Sequence, residues 1–244
     1  MDSIARLSQI LHDSAELCVF TGAGISTPSG IPDFRSAEGL YSQSSGRAVT
    51  PERIISHSYF LAHPREFYEF YRTKMLYPEA KPNYAHLCFA ELEKSGKSVS
   101  IVTQNIDGLH SAAGSSRVFE LHGSVHRNYC MSCGKKYNLD GFLSSFGEDG
   151  IPHCACGGVI RPEVVLYEEA LDEGVINGAV SAIGSADTLV IIGTSLVVQP
   201  AASFVRVFGG RELVLINKSP TPYDSAATLT LCGDCAEILK KALG

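Results

Sequence analysis

Four short apolar runs, each closing on Gly, Thr or Asn, constrain this chain most: residues 17–21 (LCVFT), 99–103 (VSIVT), 188–193 (TLVIIG) and 213–217 (LVLIN). Strands this uniformly apolar suit a parallel sheet buried on both faces. Helical periodicities lie between them, at about 64–76, 83–94, 174–183, 201–208 and 234–243. Ile4, Leu7, Ile10 and Leu11 add a helix at the N-terminus, with Asp2 or Ser3 as its N-cap. Alternating strands and helices predict an α/β fold, a Rossmann-like doubly wound parallel sheet. The 244 residues allow one large domain, or one domain carrying a smaller insert. The region from Cys130 to Cys156 breaks the rhythm as an insert would, and 31–64, rich in Ser, Pro and Gly, reads as a long functional loop with short helices. With 45% hydrophobic and 19% charged residues, the chain has the material for a packed core. Its net charge of −6 disfavours a protein that holds nucleic acid by neutralising phosphates.

Cysteine usage depends on compartment. The most apolar stretch, 189–198, is interrupted by Gly193, Thr194 and Ser195, short of the ~18 apolar residues of a spanning helix. The first 17 residues carry Asp2, His12, Asp13 and Glu16, unlike a signal peptide. A cytoplasmic location with no membrane contact is expected, where thiols stay reduced and clustered cysteines bind metal more often than they pair. Cys130-x-x-Cys133 and, twenty residues on, Cys154-x-Cys156 supply four thiolates in two knuckles, the ligand set of a tetrahedral Zn²⁺. All four positions are then filled by protein, so the ion is structural. His153 is a rival ligand to Cys154, which is preferred because the set stays all-thiolate. Cys232-x-x-Cys235 reads as structural, and Cys18 and Cys88 as core. The expected division is a sheet domain of 1–125 and 160–244 with a zinc-binding domain, 126–159, inserted.

Three other segments carry polar chemistry at strand ends, where open α/β sheets bind ligands. Gly22 and Gly24 follow the first strand and permit close approach to a pyrophosphate, although Thr27 stands where a full G-x-G-x-x-G loop has its last glycine. Asp33, Phe34 and Arg35 then set an acid, an aromatic and a base side by side. Gln104, Asn105 and Asp107 close the second strand as candidates for a ribose or amide, or as a polar helix cap. His122, followed by Gly123, is the candidate general base, with His126 and His153 as rivals.

In this order GAGIS–SGIPDFR, TQNIDGLH, LHGSV, the four-cysteine insert, IRPEVV and GTSLVVQPAA resemble the Sir2 family (sirtuins), NAD-dependent protein lysine deacylases, over about 200 residues. The pattern is most similar to the short bacterial and archaeal members. The resemblance implies that Gly22, Ala23 and Gly24 hold the NAD pyrophosphate with Thr27 and Arg35 nearby, and that Phe34 covers the nicotinamide–ribose bond. It implies that Asp33, Gln104, Asn105, Ile106 and Asp107 contact the nicotinamide end, and Gly193, Thr194, Ser195, Asn217, Lys218, Cys232 and Gly233 the adenosine end. Acyl-lysine then enters as an added strand between Val165–Tyr167 and Leu196–Val198. With Asn105 as a second catalytic residue, His122 acts as general base through the ribose hydroxyls after the acyl oxygen attacks C1′. The implied products are free lysine, nicotinamide and 2′-O-acetyl-ADP-ribose, and zinc takes no part in the chemistry. The expected partners are acetylated-lysine proteins, with no direct nucleic acid, and the expected state is a monomer.

Two departures stand out. Leu166 and Glu168 occupy positions where relatives commonly carry an aromatic pair and then glycine. Desuccinylating relatives use a Tyr-x-x-Arg pair, whereas here Tyr71 stands three residues after Tyr68 and the arginine is Arg72. One residue turns a helix by ~100°, so neutral acyl groups, acetyl first, are expected. A mono-ADP-ribosyltransferase and a non-catalytic NAD or ADP-ribose sensor are the alternatives, and a zinc-ribbon nucleic-acid binder a distant further one.

Overall fold

The computed structural model describes residues 2–33 and 49–244. Its elements, in chain order, are α1 (Ser3–Asp13), β1 (Glu16–Thr21), α2 (Pro51–Ile54), α3 (His57–Ala62), α4 (Pro64–Phe70), α5 (Tyr84–Lys94), β2 (Ser98–Thr103), α6 (Leu109–Ala113) and β3 (Val118–Glu120). There follow β4 (Gly123–Cys130), β5 (Lys136–Tyr137), α7 (Leu139–Leu143), β6 (Ile160–Val164), α8 (Glu173–Ser185), β7 (Thr188–Ile192), β8 (Glu212–Asn217), β9 (Leu229–Cys232) and α9 (Cys235–Leu243). The four apolar runs become β1, β2, β7 and β8, each within one residue of its expected bounds. They lie inside a six-stranded sheet of order β3-β2-β1-β7-β8-β9, parallel throughout. The order reverses direction between β1 and β7, which makes that junction the switch point where a cleft opens.

Both sheet faces are covered. Leu7, Leu11, Phe89 and Leu239, from α1, α5 and α9, pack on one side. On the other side Ala179 and Ile183 of α8 join Ala202 and Val205 against Phe20 and Leu189. The helix expected at 201–208 is instead a 3₁₀ helix, Ala201–Val207. Its Ser, Phe and Val residues have weak α propensity, and its bonds close over three residues, as from Ser203 N–H to Pro200 O at 2.9 Å. The helix expected at 64–76 ends as α at Phe70 and continues as a π-helical turn, Tyr71–Met75.

A second, antiparallel sheet of order β5-β4-β6 carries the cysteines. Its core is shared with α2, α3 and α4: Phe60, Phe67, Tyr68 and Tyr71 pack with Phe142, Ile160 and Val125. Tyr68 Oη donates to the Ile160 carbonyl at 2.8 Å, tying the two segments. Part of the 31–64 stretch, read from sequence as a loop, is thus a wall of this smaller unit. The structure also has a tight crossing at Gly123 (φ 75°), where a Cβ would lie 2.0 Å from Glu163 O, so only glycine lets β4 pass β6 directly after His122.

Candidate active site and cysteine cluster

The loops after β1 and β7 meet at the switch point. Gly24 N–H donates to Gly193 O at 2.8 Å, and a Cβ on Gly24 would stand 2.6 Å from Gly193 Cα. Backbone replaces side chain at that contact, which leaves Gly22, Ala23 and Gly24 facing a cavity of about 550 Å³. From the second strand, Gln104, Asn105, Ile106 and Asp107 reach the same cavity, as do Thr27, Asp33 and His122. Gly193, Thr194 and Ser195 form its far side with Asn217, Lys218 and Gly233. Val165, Tyr167 and Val198 line its mouth. Residues widely separated in sequence thus converge on one space.

Two sequence candidates fall elsewhere. Leu196 has a left-handed backbone (φ 54°) and turns its side chain into the core beside α8, 4% exposed, so it does not line the cavity. Cys232 ends β9 with its thiol exposed and donating weakly to Lys218 O at 3.5 Å. Its neighbour Gly233, not the cysteine, faces the cavity. Phe34 and Arg35 lie outside the described residues.

The hydrogen bonds fix the polar groups. His122 Nδ1 lies 2.8 Å from the Gln104 carbonyl. A carbonyl only accepts, so Nδ1 carries the proton and Nε2 is the basic nitrogen. Burial lowers the imidazole pKa, outweighing the bond to Gln104, which raises it. The ring is thus held neutral, as a base must be. Among its rivals, His126 sits against Gly108 with Nε2 on Asp107 O at 3.1 Å, and His153 pairs with Asp149 at 2.8 Å. Gln104 Nε2 donates to Thr194 Oγ1 at 3.1 Å, linking the ends of β2 and β7.

Sequence reasoning missed Ser26, which is wholly buried. Its hydroxyl donates to Asp107 Oδ2 at 2.7 Å and accepts from Asn105 Nδ2 at 3.1 Å, orienting both. Beneath it, His86 and His110 meet edge to face, with ring centroids 4.8 Å apart and planes at 65°. Asn83 N–H donates to His86 Nδ1, while Thr21 Oγ1 donates to Thr103 Oγ1 and bonds His110 Nε2 at 3.1 Å. Burial pushes His86 down to about 4 and His110 well below its ordinary value, so both are neutral. His86 lies on the buried face of α5 with Ala85, Cys88 and Phe89, and nothing in the sequence singles it out.

The four sulfurs of Cys130, Cys133, Cys154 and Cys156 lie within 4.8 Å of one another, with Cys130–Cys156 at 3.5 Å and Cys133–Cys154 at 3.7 Å. A tetrahedral ion with ~2.3 Å bonds sets its sulfurs ~3.8 Å apart, so the donor set fits Zn²⁺. His153 is committed to Asp149, leaving Cys154 as the ligand. The backbone N–H of Cys156, and after it Tyr137 Oη donating to Cys154 Sγ at 3.0 Å, lower the Cys154 thiol pKa to about 6. Gly158 permits the second knuckle, since a Cβ there would be 2.7 Å from Cys130 Sγ.

An open parallel sheet with a polar cleft at its switch point, beside a four-thiolate module, defines a nucleotide-binding α/β protein with an inserted metal site. A sequence profile of the Sir2 family matches residues 22–200. The chain belongs to the Sir2 family. It is 50% identical over 244 residues to a Clostridium acetobutylicum protein named NAD-dependent protein deacetylase, covering 100% of this chain and 99% of the relative. A Sir2 variant solved with deacetylated p53 peptide and 3′-O-acetyl ADP ribose superposes with a TM-score of 0.89 at 37% identity, covering 98% of this chain and 96% of that one. Sir2 solved with p53 peptide and NAD+ gives 0.85 at 38% identity, covering 100% and 98%.

Proposed function

We propose that the protein is an NAD-dependent protein-lysine deacetylase, converting acetyl-lysine, NAD and water to lysine, nicotinamide and O-acetyl-ADP-ribose. The observation that carries this reading is the cavity itself, where the Gly22–Gly24 turn, Asn105, and a neutral His122 with its basic Nε2 share one space. Gly22, Ala23, Gly24 and Thr27 hold the pyrophosphate against backbone N–H groups. Thr194, Ser195, Asn217, Lys218 and Gly233 surround the adenosine end. Asp33, Gln104, Ile106 and Asp107 hold the nicotinamide end, with Phe34 and Arg35 as further contacts. Bound there, NAD supplies an electrophilic ribose carbon from which nicotinamide departs. Val165, Tyr167 and Val198 guide the acetyl-lysine so that its amide oxygen meets that carbon in line. Asn105, fixed by Ser26, orients the reacting groups. His122 Nε2 takes the proton from a ribose hydroxyl, and Nδ1–H bound to Gln104 O steadies the imidazolium that forms.

The four cysteines hold a structural Zn²⁺ outside the reaction. The division we propose is a sheet domain, 1–125 and 160–244, and a zinc module, 126–159, on which α2 to α4 pack. We assign the protein to the cytoplasm, as a monomer acting on acetylated proteins. Among the described residues no helix is long and apolar enough to cross a membrane. Incubation with NAD and an acetylated peptide, with the products weighed by mass spectrometry, tests the reading: O-acetyl-ADP-ribose supports it, and ADP-ribose attached to protein refutes it in favour of a transferase.

A further inference from the structure

The loop after β6 carries an acid where the backbone asks for glycine. Glu168 has φ 75°, the left-handed region that a side chain other than Gly, Asn or Asp adopts at a cost of about 1 kcal/mol. Its carboxylate is pinned in that pose. Ser58 N–H donates to Oε2 at 2.8 Å and Ser58 Oγ donates to Oε1 at 3.0 Å. The preceding residue is tied to the same place, with Tyr167 N–H donating to Ile55 O at 3.1 Å and His57 N–H to Tyr167 O at 3.0 Å. Both donors to Glu168 are neutral. Among the described residues, no Lys, Arg or His lies within ion-pair distance of it. Its neighbour Glu169 differs, being neutralised by Arg161 at 2.6 Å and bonded to His57 at 2.6 Å. Glu168 is thus a fixed negative charge with no ion-pair partner among the described residues, eased at longer range by His57, exposed to solvent and on the cavity lining beside Val165 and Tyr167.

We propose that Glu168, a residue of the cavity lining, is specificity-determining: its exposed carboxylate, clasped by Ser58, selects acetyl-lysine peptides carrying Lys or Arg beside the acetylated lysine. The inference rests on the deacetylase reading. A solvent-exposed ion pair contributes up to about 1 kcal/mol, so the preference is about fivefold in kcat/KM and falls mainly on KM. The separation is between charge and fold: E168Q keeps acceptor and shape, and E168G suits the backbone but removes both charge and clasp.

The test measures kcat/KM on matched acetyl-lysine peptides with Arg, Ala or Glu at the flanking positions, for the wild type, E168Q and E168G. The wild type should prefer Arg over Glu about fivefold, with the ratio shrinking in high salt and falling to about twofold or less in both variants. A merely structural Glu168 would change kcat alike for all peptides and leave the ratio alone. Turnover without charge preference, or a preference that survives in E168Q, overturns the inference and leaves the deacetylase reading standing. Absence of turnover on every peptide overturns both.

Discussion

The carbonyl of Gln104 accepts the Nδ1 proton of His122 at 2.8 Å, and so decides which nitrogen of that ring is basic. Burial then lowers the pKa. A group that must be neutral to act, with its pKa below the ordinary ~6.5, keeps its activity into mildly acid solution. The acid limb of kcat/KM should therefore fall below pH 6.5. His122→Ala should lose ~10²-fold or more in turnover while still binding NAD, as read by calorimetry. An acid limb above pH 6.5, or turnover unimpaired in His122→Ala, contradicts the assignment.

The edge-to-face pair His86 and His110 makes a separate prediction about stability. Both are neutral in the fold because burial disfavours their charged forms, His86 down to about 4. Unfolded, each takes a proton below ~6.5, so the unfolded state binds more protons there and stability drops as the pH is lowered. The contribution is complete above pH 6.5 and is lost as pH drops toward about 4 for His86. Thermal melts at pH 7.5 and pH 5 should differ by several degrees, the lower pH melting first. His86→Asn should narrow the difference, and a flat profile would count against neutral buried rings.

Removal of the metal offers a third check. The four sulfurs converge within 4.8 Å, where the ion would add to the β4–β6 pairing and the Met131 N–H to Val159 O bond that already join the two knuckles. Elemental analysis should find one zinc per chain, and Cys133→Ala close to none. Chelation should loosen the module and lower activity, with zinc restoring it. Retention of full activity and an unchanged melt in metal-free protein would mean the cluster is not a structural site.

Acyl choice follows from α4. Tyr68 and Tyr71 are wholly buried among Phe67, Phe142 and Phe146, and the Arg72 guanidinium lies 4.9 Å above the Phe146 ring, so none of the three lines the cavity. Lys74 does reach the cavity, but as a point charge without the planar fork that grips a carboxylate. Acetyl- and propionyl-lysine peptides should turn over at least ~10-fold faster than the succinyl peptide, about 1.4 kcal/mol in transition-state terms. Equal rates on one peptide backbone would refute it.

The sheet was legible because its central strands are uniformly apolar, as burial on both faces requires. The edge strands β3 and β9 were not, since β3 is only half-buried and β9 alternates, so neither forms an apolar run. In the site, the glycines and the polar ends of β2 could be read from their position after strands. Ser26 could not, because its importance lies in Asn105 and Asp107, 79 and 81 residues away. The resemblance implied Leu196 as part of the acyl-lysine seat; a left-handed backbone sends its side chain inward, leaving only its backbone for that role. Periodicity reports which face is buried; it does not report where a single non-helical residue turns.

The most direct measurement is the mass spectrum of products formed from NAD and an acetyl-lysine peptide. The account predicts deacetylated peptide, nicotinamide and O-acetyl-ADP-ribose in equal amounts, with deacetylated peptide and O-acetyl-ADP-ribose reduced ~10²-fold or more in His122→Ala. Nicotinamide released with the acetyl group still on lysine, or ADP-ribose found on protein, would contradict it.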